Sequence, residues 1–115
     1  MLAIKQSKGL SFFEPLSIIR VEACSNYCRI YFTNQQKELV VSKVLHWVQQ
    51  RLPADMFVRV HRSHLVNRMY VEKVTGRAPK LIALTNGEQV PVSRRKKACI
   101  ITERQQGIMQ VPASV

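Results

Sequence analysis

Two stretches of strict alternation constrain this chain more than any other feature. In residues 17–23, Ile19, Val21 and Ala23 fall on one face and Ile18, Arg20 and Glu22 on the other. In residues 27–33, Cys28, Ile30 and Phe32 oppose Tyr27, Arg29 and Tyr31. A period of two marks a half-buried strand, and a helix cannot use it. Ser25-Asn26, between the two runs, reads as a turn or bulge. Residues 34–37 turn the chain again, and 38–41 return as a strand. Residues 57–62 and 64–74 are rich in β-branched side chains and read as two further strands, broken near Ser63. Residues 75–79 form a loop. Residues 81–85 and 88–92 flank Asn86-Gly87, a pair suited to a type I′ hairpin turn.

Helical signals are few. Ser42 is placed to cap a helix over 43–52, with Val44, Leu45, Val48 and Leu52 as its apolar stripe. That stripe, together with Trp47, predicts packing on a sheet. No second helix follows within three or four residues, so a helix-turn-helix is unsupported. Ser93 is placed to cap a last helix that opens with Arg94, Arg95, Lys96 and Lys97. The expected fold is mainly β: an elongated antiparallel sheet or sandwich with one short internal helix and a short C-terminal helix. Residues 1–15 are expected to be an arm or first strand, 16–104 the domain, and 105–115 a flexible tail.

Composition narrows the function. The chain has 115 residues, with 18 Lys and Arg against 7 Asp and Glu, a formal net charge of +11. Residues 1–15 lack a long apolar signal region, and no apolar run approaches the roughly 20 residues of a membrane span. Cys24, Cys28 and Cys99 are odd in number, as expected of free thiols. Asp55 is the sole aspartate, so the carboxylate cluster of a magnesium-dependent phosphoacceptor cannot be assembled. Phosphate-loop and dinucleotide fingerprints are missing. These features predict a cytoplasmic, non-enzymatic domain without cofactor or membrane insertion that meets a polyanion.

Two basic clusters carry that expectation: Arg59-Val60-His61-Arg62 and the run 94–97. A helix start at Ser93 would hold a phosphate by its free N–H groups and dipole, with either Arg94 or Arg95 free to reach a base edge. Tyr27, Arg29 and Tyr31 on one strand face suit base stacking if exposed, and a core if covered. Cys24, Cys28, His61 and His64 have the spacing C-x3-C and H-x2-H, but no helix presents the histidines, and in one strand they would face opposite ways. A Ser63–His64 catalytic pair is weaker still, with only Asp55 to orient it.

Residues 57–67, FVRVHRSHLVN, resemble the signature of the LytTR family of bacterial DNA-binding domains. Val21-Glu22-Ala23 with Asn26-Tyr27 resembles that family's opening strand and loop. Asn86-Gly87 followed by residues 90–95 resembles its closing hairpin. The resemblance spans about residues 16–103. It implies a transcription regulator that reads successive major grooves of double-stranded DNA with inter-strand loops. It places Asn26, Arg29 and Arg95 at bases, and Arg62, Ser63, Asn67, Arg94, Lys96 and Lys97 at the backbone or minor groove. Cys28 stands where some relatives carry a polar base-contacting side chain. The resemblance further implies repeated half-sites bound by pairs of molecules, and a separate sensor or inhibitor protein as a possible partner. Arg59 and His61, alternating with valines, read as structural. The alternatives are a single-stranded RNA-binding module and a protein-interaction domain. The stretch 57–62 has no glycine and one aromatic, unlike the RNA-binding RNP1 pattern.

Overall fold

The computed structural model describes residues 1–6, 9–33, 37–75 and 81–93. Among the described residues, ten antiparallel strands fall into three sheets, with principal extents of 44 × 30 × 23 Å. A hairpin of β1 (Leu2–Gln6) and β2 (Gly9–Phe13) opens the chain. The central sheet has the order β5-β4-β3-β7-β6 and is built from β3 (Ile18–Cys24), β4 (Tyr27–Phe32), β5 (Leu39–Val41), β6 (Phe57–His61) and β7 (His64–Asn67). The third sheet, β10-β9-β8, contains β8 (Val71–Thr75), β9 (Leu81–Leu84) and β10 (Gln89–Pro91). In the stretch expected to be an arm or first strand, Leu2 and Ile4 of this hairpin are buried in the core.

The central sheet carries a core on each face. On one side Ile18, Val21, Cys28, Ile30, Phe32 and Leu65 pack with Leu2, Ile4, Leu45 and Val48. On the other, Ile19, Val58, Val60 and Val66 meet Val71, Ile82, Leu84 and Val90 of the third sheet. A register shift between Ile18 and Arg20 makes this possible. The extra residue of a bulge reverses parity. Ile18 therefore joins Val21 on the first face, while Ile19 crosses to the second, contrary to the expected Ile19-Val21-Ala23 face.

Among the described residues the single α-helix, α1 (Leu45–Gln50), is shorter than the 43–52 expected, and Ser42 does not cap it. The Lys43 N–H donates to the Val41 carbonyl at 2.8 Å in a tight turn, which delays the helix until Val44. Six residues cannot sustain a helix alone. Burial of Leu45 and Val48 on the sheet fixes where it begins. The expected strand 64–74 is likewise two strands in different sheets. Asn67 ends β7, a 3-10 turn over Arg68–Tyr70 redirects the chain, and β8 follows.

The closing hairpin forms as expected, with a different turn. Only Gly87 of that turn has positive φ, at 92°. Its N–H donates to the Leu84 carbonyl, and the Leu84 N–H donates to the Glu88 carbonyl, both at 2.9 Å. This is a three-residue loop ending in a glycine bulge, not type I′. The expected C-terminal helix lies outside the described residues. No helix among those described is long and apolar enough to cross a membrane.

Candidate nucleic-acid interface

Two tight turns meet at one end of the central sheet. β3 and β4 are joined by Ser25 and Asn26 alone, since Cys24 pairs with Tyr27. Ser25 takes φ 59° to close the hairpin, and both turn residues are exposed. β6 and β7 are joined by Arg62 and Ser63, since His61 pairs with His64. The Ala23 N–H donates to the Ser63 carbonyl at 2.8 Å, which locks one turn beside the other. The Ser63 N–H donates to His61 Nδ1 at 3.1 Å. Arg59 extends from β6 to donate to the Arg62 and His61 carbonyls, and to Gln49 Oε1 of α1 at 2.9 Å. Apart from the bond to Gln49, these contacts hold the turn's backbone, and Arg62 is exposed.

Arg29 sits two pairs behind the Cys24–Tyr27 pair that closes the first turn, opposite Glu22. Tyr31 and Tyr27 flank it and push its pKa up, and its Nε is buried without a partner. Glu22, the acid on this face, is already engaged. It accepts from Tyr31 Oη at 3.0 Å and lies 3.8 Å from Arg20. Arg20 stacks over the Tyr31 ring at 3.9 Å. Among the described residues Arg20 makes ion pairs, whereas Arg29 and Arg62 make none. His64, opposite Glu22, is held below its usual pKa by burial, so it is neutral near pH 7. The net result is a positive end with two uncompensated guanidinium groups.

Asn67 does not belong there. It is 0% exposed, and its amide donates to the Ile18 carbonyl at 2.9 Å and the Pro15 carbonyl at 3.3 Å. Its oxygen accepts from the Met69 N–H at 2.9 Å. It is a core tie, and a phosphate role is corrected to a structural one. The two histidines are also not opposed as expected: the turn puts their rings 5.3 Å apart. Even so, no group of three or more metal-ligating side chains occurs among the described residues. Arg94, Arg95, Lys96 and Lys97 lie outside the described residues. The residue before them, Ser93, donates its N–H to the Val60 carbonyl at 2.8 Å, one position from the end of β6. Arg59 is structural, as its alternation with valines suggested, but its partners in the turn and α1, like the whole Arg20 cluster, went unnamed in the sequence, because they lie across turns and sheets.

The model of the LytTr DNA-binding domain matches residues 8–102. The chain belongs to the LytTr DNA-binding domain family. A solved LytTr DNA-binding domain, from a putative methyl-accepting/DNA response regulator of Bacillus cereus, has the same fold, with a TM-score of 0.71 and 23% identity. That match covers 86% of this chain and 91% of the other. Over 61 residues the chain is 34% identical to the sensory transduction protein LytT of Enterococcus faecalis. Over 61 residues it is 31% identical to the sensory transduction protein LytR of Streptococcus agalactiae. Each alignment spans 51% of this chain and 25% of the relative. Membership in the LytTr family supports DNA binding in transcription regulation.

Proposed function

We propose that this chain reads double-stranded DNA sequence-specifically, with inter-strand turns in place of a recognition helix. The observation that carries the reading is the joined pair of turns, tied by the 2.8 Å bond from Ala23 to Ser63. They gather Asn26, Arg29, Arg62 and Ser63 at one positive end of the sheet. A B-DNA major groove, about 12 Å wide, admits a two-stranded ribbon. Asn26 and Arg29 read base edges in one groove. Arg62 and Ser63 hold the backbone beside it. Arg95 reads the next groove, with Arg94, Lys96 and Lys97 on phosphates. The helix α1 is unsuited to this work, since its apolar side faces the core. Pairs of molecules on repeated half-sites, and a separate sensor or inhibitor protein, complete the proposed regulator.

A single-stranded RNA module is disfavoured by one contact. Arg20 already covers the Tyr31 ring, and Glu22 takes its hydroxyl, so that ring offers no free stacking platform. The test is selection of random duplex DNA by the chain, with affinity measured at two salt concentrations. Enrichment of a motif repeated about one helical turn apart, roughly 10 bp, is the expected outcome. Binding without a motif, lost steeply with salt, would leave only non-specific attraction and overturn the reading.

A further inference from the structure

The β5 edge of the central sheet carries a second surface. There the β1–β2 hairpin and the β5–α1 corner leave an open groove of about 720 Å³. Leu10, Val40, Val41 and Trp47 supply apolar lining, Lys5 and Lys43 its charge, and among the described residues no acid lines it. Val41 and Trp47 belong to the core that faces α1, whereas Val40, paired with Arg29, turns to the other face, so the groove wraps around the edge strand β5. Trp47 is set between cations, with Arg51 at 3.7 Å and Lys43 at 5.2 Å from its ring. The apolar surface does not stop at the groove. Leu10 and Phe12 alternate onto the same outer face of the hairpin, each 62% exposed, and Val40 is 56% exposed.

We propose that this groove docks an acidic, apolar segment of a partner protein. Its carboxylates would meet Lys5 and Lys43, and its apolar side chains would cover Leu10, Val40 and Trp47. Charge selects the occupant. A second copy of a chain with net charge +11 is repelled, whereas an acidic segment is drawn in. Extent selects it too: Phe12 lies beyond the groove, so a small molecule seated inside would leave the hairpin's outer face open. Contiguous exposed apolar surface rimmed by polar groups is the usual mark of such an interface.

Trp47 is the only tryptophan, so its emission reports on the groove directly. The probe is a short peptide alternating Glu and Leu. One control alternates Glu and Ser, and another alternates Lys and Leu. The Glu/Leu peptide is expected to shift Trp47 emission and to bind at least about tenfold tighter than either control, about 1.4 kcal/mol. Lys43→Glu and Leu10→Ser are each expected to weaken it by at least about tenfold. Both positions are exposed, so both variants should keep the parent's thermal midpoint. Equal binding of the Glu/Ser control, or full binding by both variants, would each overturn the proposal. Either would mean simple attraction to the basic surface.

Discussion

Arg20 and Glu88, 68 residues apart, clamp the third sheet to the central one. The guanidinium donates through Nε and Nη2 to the two carboxylate oxygens at 3.0 and 2.9 Å. Asn86 adds a third donor to Glu88 at 2.8 Å. A fork-to-fork pair fixes orientation as well as distance. The clamp sets the distal turn of the third sheet over β3, behind the proposed DNA-reading end.

Glu88→Gln should therefore cost about 1–2 kcal/mol, between the values for exposed and buried pairs. The Arg20 hydrogen bond holds the Glu88 carboxyl below its usual pKa of 4.5. A depressed pKa contributes stability that is present above 4.5 and lost as pH falls through the lower folded value. Urea titrations between neutral pH and pH 3 should show the parent losing more stability than Glu88→Gln. Parallel curves would remove the pair from the account.

Asn67→Leu should destabilise by about 3 kcal/mol or more, since two buried carbonyls and one N–H lose their partner together. Asn67→Asp should be nearly as harmful, because a carboxylate cannot donate to those carbonyls. Where either variant still folds in the cold, the salt slope of its DNA binding should equal the parent's. A flatter slope would return Asn67 to the phosphate contacts.

The two turns respond oppositely to glycine. Ser25, at φ 59°, pays a steric penalty that Ser25→Gly should relieve, raising stability by up to about 1 kcal/mol. Gly87→Ala, at φ 92°, should lower it by about 1 kcal/mol or more, even though a Cβ there would meet open space. Thermal midpoints of the two variants decide it, and shifts of the same sign would contradict the backbone argument.

On duplex DNA, Arg62→Ala should weaken binding to all sequences alike and reduce the salt slope by about one. Arg29→Ala should instead cost about 1–3 kcal/mol at one base position and relax the preference there. Fluorescence anisotropy over a salt series, with matched and mismatched duplexes, separates the two patterns.

Much of this was legible in order. Alternation in residues 27–33 foretold the buried Cys28, Ile30 and Phe32, because one unbulged strand keeps a single parity. Residues 17–23 misled on Ile19, because the bulge reverses parity through a pairing no single strand reveals. Asn86-Gly87 announced a hairpin but not its turn type, since local propensity permits both geometries. For the site, the turns at Ser25-Asn26 and near Ser63 were visible as breaks in pattern. Their union through Ala23 and Ser63 was not, for it depends on β3 and β7 becoming neighbours. Asn67 looked like a surface polar residue within a basic signature, and nothing local distinguishes an amide that will be surrounded by carbonyls.

The neighbouring of β3 and β7 also bears on how quickly the molecule can form. Between them in sequence come β4, β5, α1 and β6, yet in the sheet β3 and β7 lie side by side. The Asn67 bond to Ile18 spans 49 residues. Closing so long a loop costs chain entropy before its contacts give anything back. The β3–β4 hairpin can arise locally, but the central pair must wait for a search through most of the domain. Folding should accordingly fall in the slower, millisecond-to-second range of β-rich domains. The join that sets Ser63 beside Ala23 would then be among the last parts of the central sheet to assemble.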